Sequence, residues 1–256
     1  MVKYVDMNVD SGESFGRYKL GLDEEVFKYV TSANVACGFH AGDPNVMRRT
    51  VRLAKELGVA VGAHPGFPDL MGFGRRRMEV RSDELRNYVL YQVGALHAFT
   101  KAEGIELQHV KPHGALYNMA WDRRDYAEAI VLAIKEFNPN LILVAPQNSL
   151  MREVGEGEGI KVAYEFFADR NYLSNGRLVP RSHPKALVTN PKEVVERVIK
   201  AVDEGRVVSI DGEVIEVEVH TICVHGDSPG AVELAKAVRE GLEGVGIRVA
   251  PLREFL

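Results

Sequence analysis

The sequence predicts an α/β fold of the TIM-like (β/α)7 barrel type, and two features of the chain lead to this prediction. Seven short, largely apolar segments of strand character alternate with five longer segments of helical character, which is typical of a parallel sheet with right-handed helical crossovers. Polar and glycine-rich loops follow several of the strand segments, as they do where a barrel builds its active site. In a chain of 256 residues, this pattern favours a barrel over the alternative, a doubly wound open sheet.

The predicted strands are short apolar runs, as expected for strands that are covered on both faces. They lie at residues 3–9, 32–37, 59–63, 107–112, 141–145, 160–165 and 219–224. The predicted helices lie at residues 44–57, 82–103, 122–137, 191–204 and 229–242. The first helix begins at Pro44 and ends before Gly58, and Ser82 is a candidate N-cap for the second.

Two further segments depart from the strand–helix alternation. Residues 206–217 predict a β-hairpin, because two strand-like runs flank Asp211 and Gly212. We expect this hairpin to have a structural or oligomeric role. The polar stretch 166–184 follows a strand and is a candidate lid or substrate-binding loop. No linker or low-complexity segment divides the chain, so we expect one domain over residues 1–256.

The composition excludes several classes of partner. The formal net charge is −4 and apolar residues make up 46% of the chain, so we expect a large core and no nucleic-acid partner. No apolar run reaches the roughly 18 residues that span a bilayer, and no N-terminal signal is apparent, so we expect a cytoplasmic protein without a membrane partner. Cys37 and Cys223 lie in apolar runs and are expected to be buried free thiols. A homo-oligomer is possible.

The first strand carries three polar residues at every second position, Asp6, Asn8 and Asp10. Their side chains therefore point to the same face. We expect Asp6 to brace the floor of the barrel by hydrogen bonds to neighbouring strands. Asp10 is nearest the C-terminal end of the strand and is placed to reach a substrate or a metal ion. Glu13 follows on the loop.

Histidines follow the second and third strands. His40 lies between glycines that allow the backbone to approach a ligand closely. Asp43, just before Pro44, is suited equally to binding and to capping the next helix. His64 ends the third strand, where it could ligate a metal, act as a general base or form a hydrogen bond across the barrel mouth.

The fourth strand places His109, Lys111 and His113 on one face by alternation. A lysine at the end of a buried strand is costly unless it is paired or binds an anion. We therefore expect Lys111 to stabilise negative charge, to pair with Asp10, or to do both. His225 follows the last predicted strand and completes the set of loop histidines.

Three common catalytic motifs are absent from the sequence. There is no GxxxxGK[ST] phosphate-binding loop, no GxGxxG that opens a helix after a strand, and no GxSxG nucleophile elbow. Their absence disfavours a self-sufficient P-loop ATPase, a Rossmann dehydrogenase and a serine hydrolase. The Asp and His residues fit either metal-free acid–base chemistry or a divalent metal, with Asp10, His40 and His64 as candidate ligands.

The segments that carry these residues resemble the LamB/YcsF family, which provides the A subunit of the bacterial and archaeal 5-oxoprolinase. The matching segments occur in order through nearly the whole chain: Asp6–Gly16, Ala33–Pro44, Gly62–Asp69, Val110–Asn118, Ala168–Arg170, Gly176–Arg181 and Cys223–Pro229. The resemblance implies a (β/α)7 barrel related to the glycoside hydrolase/deacetylase superfamily. It also implies ATP-dependent opening of 5-oxo-L-proline to L-glutamate, with Mg²⁺ and with two partner subunits, PxpB and PxpC.

This activity suggests roles for the candidate residues. A lactam is a poor electrophile, so the site needs a base for water, a cation for developing charge and an acid for the ring nitrogen. The candidate catalytic residues are Asp10, Glu13, His64, Lys111 and His113. The candidate substrate-binding residues are Asn8, His40, Asp43, Arg170, Arg181 and His225. The alternatives are a metal-dependent deacetylase or amidohydrolase acting on a carbohydrate or small amide, and a non-catalytic binding subunit.

Overall fold

A computed structural model describes residues 3–224 and 230–256 of the chain. Its strands, numbered in chain order, are β1 (Tyr4–Ser11), β2 (Ser32–Ala36), β3 (Ala60–His64), β4 (Leu107–Val110), β5 (Ile142–Ala145), β6 (Val162–Phe167), β7 (Arg206–Val208), β8 (Val214–Glu216), β9 (Thr221–Val224) and β10 (Arg248–Val249). Its α-helices are α1 (Asp23–Val26), α2 (Pro44–Leu57), α3 (Ser82–Glu103), α4 (Gly114–Ala120), α5 (Arg124–Phe137), α6 (Leu150–Gly157), α7 (Pro191–Glu204) and α8 (Ala231–Gly244). A 3₁₀ helix at Leu252–Glu254 follows.

Seven parallel strands of the described chain close into a barrel. They follow the order β1, β2, β3, β4, β5, β6 and β9, and β9 pairs back with β1. Asn8 of β1 is in register with Ser32 of β2 on one side and with Cys223 of β9 on the other. The predicted (β/α)7 barrel is therefore confirmed, and the open sheet is wrong. β10 pairs with the start of β1 as an extra parallel strand.

Helix boundaries follow the capping chemistry of the sequence at α2. The Asp43 carboxylate accepts hydrogen bonds from the backbone N–H groups of Asn45 at 2.8 Å and Val46 at 3.0 Å. Gly58 ends the helix in the left-handed conformation, with φ of 70°, as is common for a glycine in this position. The Ser82 prediction is wrong. Arg81 holds the N-cap position without a side-chain hydrogen bond, and Ser82 is already helical.

Several other elements differ from the prediction. The short helices α1, α4 and α6 were not predicted, and the predicted helix over 122–137 begins two residues later. The predicted strand over 160–165 runs instead from Val162 to Phe167, with Glu165 buried within it. The predicted hairpin is confirmed as β7 and β8, which pair antiparallel with Val207 opposite Ile215. None of the helices described is long and apolar enough to cross a membrane.

The outward face of the barrel strands forms the hydrophobic core with the surrounding helices. Val5, Met7 and Val9 of β1 are completely buried in this core. Because side chains alternate along a strand, the residues between them, Asp6 and Asn8, point into the barrel. The barrel interior is therefore unusually polar.

The polar interior is arranged in hydrogen-bonded layers. At the floor, the Asp6 carboxylate accepts hydrogen bonds from the hydroxyls of Thr31, Ser32 and Thr221. The predicted bracing role of Asp6 is thus confirmed. Its burial raises the pKa to about 6, although the three hydroxyls act in the opposite direction.

The next layer contains Asn8, Asn34 and His109. His109 Nε2 donates to Asn34 Oδ1 at 2.7 Å, and Asn34 Nδ2 donates to Asn8 Oδ1 at 2.8 Å. The imidazole of His109 fits only because Gly62 of β3 has no side chain, since a Cβ there would lie 2.0 Å from Nε2. This layer supports the side chains at the barrel mouth directly above it.

Candidate active site at the barrel mouth

A cavity of about 590 Å³ opens at the C-terminal ends of the barrel strands. Its walls come from the ends of β1, β3 and β4 and from the loop that follows β6. Six of the predicted site residues line it: Asp10, His64, Lys111, His113, Arg170 and Arg181. The parallel strands thus bring together side chains that are far apart in the sequence.

Lys111 is a buried cation that lines this cavity. Its Nζ lies 3.0 Å from Asp10 Oδ1 and 2.7 Å from Glu165 Oε1, and it donates to Asn8 Oδ1 at 3.2 Å. Burial alone would lower the pKa of Lys111, but the two carboxylates outweigh that effect and hold the pKa well above its ordinary value. The predicted pair with Asp10 is confirmed, and Lys111 carries its positive charge.

Asp10 is held as an anion by its neighbours. Asn34 Nδ2 donates to its Oδ1 at 2.9 Å, and His64 Nε2 lies 3.3 Å from its Oδ2. Burial would raise the pKa of Asp10, but His64 and Lys111 together hold it well below the ordinary range. A carboxylate held in this way stays ionised and is a good partner for cations.

His64 and His113 face each other across the mouth. His64 Nδ1 lies 2.6 Å from the Lys111 carbonyl oxygen, and His113 Nε2 lies 2.8 Å from the Phe73 carbonyl oxygen. Their other nitrogens, His64 Nε2 and His113 Nδ1, are 3.0 Å apart. Burial lowers the pKa of His113 to about 3, and the adjacent His64 adds to this effect.

His40 stacks on His113, with ring centroids 3.7 Å apart and planes inclined by only 4°. Its side chain is buried, and within residues 3–224 and 230–256 neither ring nitrogen has a hydrogen-bond partner. Burial lowers the pKa of His40 well below its ordinary value, and His113 and His64 lower it further. His40 is therefore a neutral imidazole.

Glu13 completes a cluster of potential metal ligands. Its Oε1 lies 3.5 Å from His40 Nε2 and 3.7 Å from His113 Nδ1. One ligand atom from each of Glu13, His40, His64 and His113 lies within 4.8 Å of all the others. This four-residue cluster could hold a metal ion. It shares His40 and His64 with the predicted ligand set, and Asp10 lies beside it.

The structure places the remaining predicted residues outside the centre of the cavity. Asn8 lies one layer below it. Asp43 caps α2 and also accepts from the Gly16 backbone N–H at 2.8 Å, so the capping interpretation is confirmed. His225 lies outside the described residues.

Arg170 is a buried residue of the loop that follows β6. Its Nη2 donates to the Val179 carbonyl at 2.6 Å, and its Nε donates to the Ala186 carbonyl at 3.4 Å. Burial, with a contribution from nearby Arg181, lowers the pKa of Arg170 to about 10. Arg170 therefore organises its own loop, whereas Arg181 is exposed at the cavity.

Sequence reasoning missed two residues that hold the charged groups in place. Glu165 pairs with Lys111 and also accepts a hydrogen bond from the Tyr117 hydroxyl at 2.7 Å. Asn34 joins the middle layer to Asp10. In the sequence, the only sign of either is a polar residue inside a strand that is otherwise apolar, and such a residue needs a partner.

Comparisons with known proteins identify close relatives over the whole length of the chain. The chain matches the model of the LamB/YcsF family over residues 5–256. A protein of Pyrococcus horikoshii that is named as the A subunit of 5-oxoprolinase is 59% identical over 252 residues, which cover 98% of this chain and 99% of the relative. A protein of the same name from Syntrophobacter fumaroxidans is 53% identical over 247 residues, covering 96% and 98%. The crystal structure of a lactam utilization protein from Thermus thermophilus is 50% identical and superposes with a TM-score of 0.93, covering 96% of this chain and 99% of the other.

Proposed function

The chain belongs to the LamB/YcsF family, and on this basis we propose that it is the A subunit of an ATP-dependent 5-oxoprolinase. The enzyme opens the lactam ring of 5-oxo-L-proline by hydrolysis to give L-glutamate. The observation that carries the proposal is the full-length similarity, at 59% identity, to a relative named for that subunit of 5-oxoprolinase. The charged cavity at the barrel mouth provides a site for a small anionic lactam.

We further propose that ATP is bound with the help of partner subunits. The sequence has no phosphate-binding loop, and the relatives are named as one subunit of an enzyme, which supports an assembly with other chains. Subunits of the PxpB and PxpC type are the proposed partners, with Mg²⁺ accompanying ATP. Residues 1–256 act in this assembly as one barrel domain, in the cytoplasm.

The chemistry of the lactam defines what the cavity has to do. Phosphorylation of the lactam oxygen makes C5 more electrophilic, and water then adds at C5. The ring nitrogen takes up a proton as the C5–N bond breaks, which leaves an acyl phosphate of glutamate. A second water then hydrolyses this acyl phosphate to L-glutamate and inorganic phosphate. The site therefore needs a base, a cation near the C5 oxygen and a proton donor.

The side chains of the mouth are suited to these tasks. We assign the activation of water to Asp10 or His64, the stabilisation of negative charge to Lys111, and proton transfer to His113. Glu13 lies within 3.7 Å of His113 Nδ1 and is assigned a supporting role in that transfer. All of these groups except Glu13 line the same cavity.

The substrate carboxylate is assigned to an arginine of the loop that follows β6. Arg181 is the better candidate, because its side chain is exposed at the cavity, whereas Arg170 is buried. A guanidinium can bind a carboxylate with two parallel hydrogen bonds, which a lysine cannot do. Asn8 and His40 support the groups that face the substrate, and His225 is retained as a candidate contact.

The test is glutamate release from 5-oxo-L-proline with ATP and Mg²⁺, measured for this chain alone and after addition of its two partner subunits. Glutamate should form only in the assembled mixture. Lys111→Ala should lower turnover by at least about 100-fold. Lys135→Ala, which removes an exposed lysine paired with Glu158, should leave turnover unchanged. No glutamate from a complex shown to be assembled would reject the proposal.

A metal-dependent amide hydrolase is the second candidate, and the cluster of Glu13, His40, His64 and His113 favours it. Such an enzyme would use a metal ion to activate water and would need neither ATP nor partner chains. Turnover of small amides by the isolated chain, dependent on an added divalent ion and unaffected by ATP, would favour this second function over the first.

A further inference from the structure

The hydrogen bonds of His64 and His113 determine which ring nitrogens carry protons. A backbone carbonyl can only accept a hydrogen bond. His64 Nδ1 contacts the Lys111 carbonyl and His113 Nε2 contacts the Phe73 carbonyl, so both of these nitrogens are protonated. The ring nitrogens that remain to face the cavity are His64 Nε2 and His113 Nδ1.

These two nitrogens face each other across 3.0 Å. The atoms around them are also electron-rich. Asp10 Oδ2 lies 3.3 Å from His64 Nε2, and Glu13 Oε1 lies 3.7 Å from His113 Nδ1. Two carboxylate oxygens and two ring nitrogens gathered this closely attract a positive charge between them. Lys111 does not supply that charge in the structure, since its Nζ contacts Asp10 Oδ1 and Glu165.

The spacing of the cluster matches the coordination of a small metal ion. With metal–nitrogen distances of about 2.0–2.1 Å, ligand atoms at the corners of a tetrahedron lie about 3.3–3.4 Å apart. The observed separations are 3.0 Å between His64 and His113, 3.5 Å between His40 and Glu13, and 3.7 Å between His113 and Glu13. All the ligand atoms lie within 4.8 Å of one another, so shifts of up to about 1 Å, with a rotation of the stacked ring of His40, would bring these atoms to such corners.

Two features indicate that the rings are held ready in this arrangement. The hydrogen bonds from His64 and His113 to backbone carbonyls are of the kind that orients metal-bound histidines. Two glycines leave the space that the rings occupy. A Cβ at Gly66 would lie 2.7 Å from His40 Nδ1, and a Cβ at Gly74 would lie 2.7 Å from His40 Cβ.

We propose that the barrel mouth binds one divalent transition-metal ion of the zinc type through Glu13 Oε1, His40 Nε2, His64 Nε2 and His113 Nδ1, with Asp10 beside it. Three imidazoles and one carboxylate suit Zn²⁺ or Co²⁺, whereas Mg²⁺ and Ca²⁺ prefer oxygen ligands. The site is thus distinct from that of the Mg²⁺ that accompanies ATP.

The inference does not rest on the proposed lactam activity, but it affects the assignment of the base. A metal ion and a water-derived proton would compete for the same lone pair of His64 Nε2. With the ion bound, Asp10 is the better of the two candidates for the group that receives the proton.

The experiment is metal binding by the purified full chain without substrate or partners. After treatment with a chelator and removal of that chelator, Zn²⁺ is titrated by calorimetry, and bound metal is counted by mass spectrometry. We expect one Zn²⁺ per chain with a Kd of about 1 μM or tighter, not displaced by millimolar Mg²⁺. Co²⁺ in its place should give the visible absorption bands of a site with nitrogen ligands.

Variants locate the ion. His40→Ala and His113→Ala should each weaken Zn²⁺ binding by at least about 10-fold, and His113→Gln replaces the second if the alanine variant does not fold. His183→Ala removes an exposed histidine on the loop and should bind Zn²⁺ like the unmodified chain. Less than half an equivalent of Zn²⁺, or binding unchanged in the His40 and His113 variants, would overturn the proposal.

Nitrogen-15 NMR of the imidazoles provides a second readout in the metal-free chain. We expect His64 to carry a proton at Nδ1 and His113 to carry one at Nε2, as their hydrogen bonds to backbone carbonyls require. Addition of Zn²⁺ should shift the resonances of His64 Nε2 and His113 Nδ1, and unchanged resonances at both nitrogens would overturn the proposal. Because none of these readouts involves glutamate formation, the proposed metal site and the proposed lactam activity can be disproved independently of each other.

Discussion

Gly62 of β3 offers a direct test of how the barrel interior supports the site. Gly62→Ala would place a Cβ 2.0 Å from His109 Nε2 and 2.2 Å from His109 Cδ2. Favourable contacts between such atoms need about 3.5 Å or more, so the imidazole must move by more than about 1 Å. That movement breaks the 2.7 Å hydrogen bond from His109 to Asn34.

The expected cost has two parts. Overpacking a buried site costs about 1–3 kcal/mol, and leaving buried polar groups without their hydrogen bond costs about 1–3 kcal/mol more. The variant should therefore lose about 2–6 kcal/mol of unfolding free energy, which lowers Tm by about 4–24 °C for a chain of this size. Because Asn34 also donates to Asp10, turnover of the assembled enzyme should fall as well.

The assay is unfolding in guanidinium chloride, followed by circular dichroism. Gly94→Ala is the matched control. It lies within α3 with open space around the new methyl group, so it should stabilise the chain by about 0.5–1 kcal/mol. In the double variant, His109→Ala removes the obstructing ring, so the two substitutions together should cost less than the sum of their separate effects. A Gly62→Ala chain as stable as the unmodified one would refute the packing argument.

Three further predictions concern charged groups. The unmodified chain should lose about 3 kcal/mol of unfolding free energy as the pH rises from about 4 to 7, and Asp6→Asn should abolish this loss. The reason is that burial raises the pKa of Asp6 from 3.8 to about 6, so the folded chain holds a proton that the unfolded chain releases, and identical pH profiles of Tm would contradict this. Glu165→Gln should cost about 3 kcal/mol of unfolding free energy, because it breaks a buried ion pair with Lys111. Glu158→Gln breaks an exposed ion pair of similar length and should cost less than about 0.5 kcal/mol. Equal costs would show that burial does not determine the strength of these pairs. Arg181→Lys should raise the KM for 5-oxo-L-proline by about 10-fold with little change in kcat, while Arg170→Lys should mainly lower Tm, and the opposite pattern of effects would reverse the two assignments.

The sequence was sufficient to predict the long elements and the overall topology. α2, α3 and α7 span three or more turns, which is long enough for hydrophobic periodicity and terminal residues to define them. The helices α1, α4 and α6 have eight residues or fewer, so each is too short to show a clear hydrophobic periodicity in the sequence. Closure of the sheet depends on the pairing of β1 with β9, which are more than 200 residues apart.

The candidate site could be predicted only in part, for a related reason. Alternation along β1 and β4 determines which side chains share a face, and this was enough to place Asp10 and Lys111 at the mouth. Contacts between strands depend on their register, which cannot be predicted from the pattern of a single sequence. Glu165 as the second partner of Lys111, and the stacking of His40 on His113, therefore became apparent only in three dimensions.

At the barrel mouth, the groups around Lys111 and the two arginines come from different parts of the chain. The ionisable groups gathered around Lys111 come mainly from the first four barrel strands, within residues 10–113, while Arg170 and Arg181 belong to the segment after β6. With Arg181 in its proposed role, substrate preference can diverge by insertion, deletion or exchange within residues 168–190 while the groups at the strand ends stay unchanged. For protein engineering, this segment is the place to build libraries that seek other cyclic amides, and the strand ends are the part to keep constant.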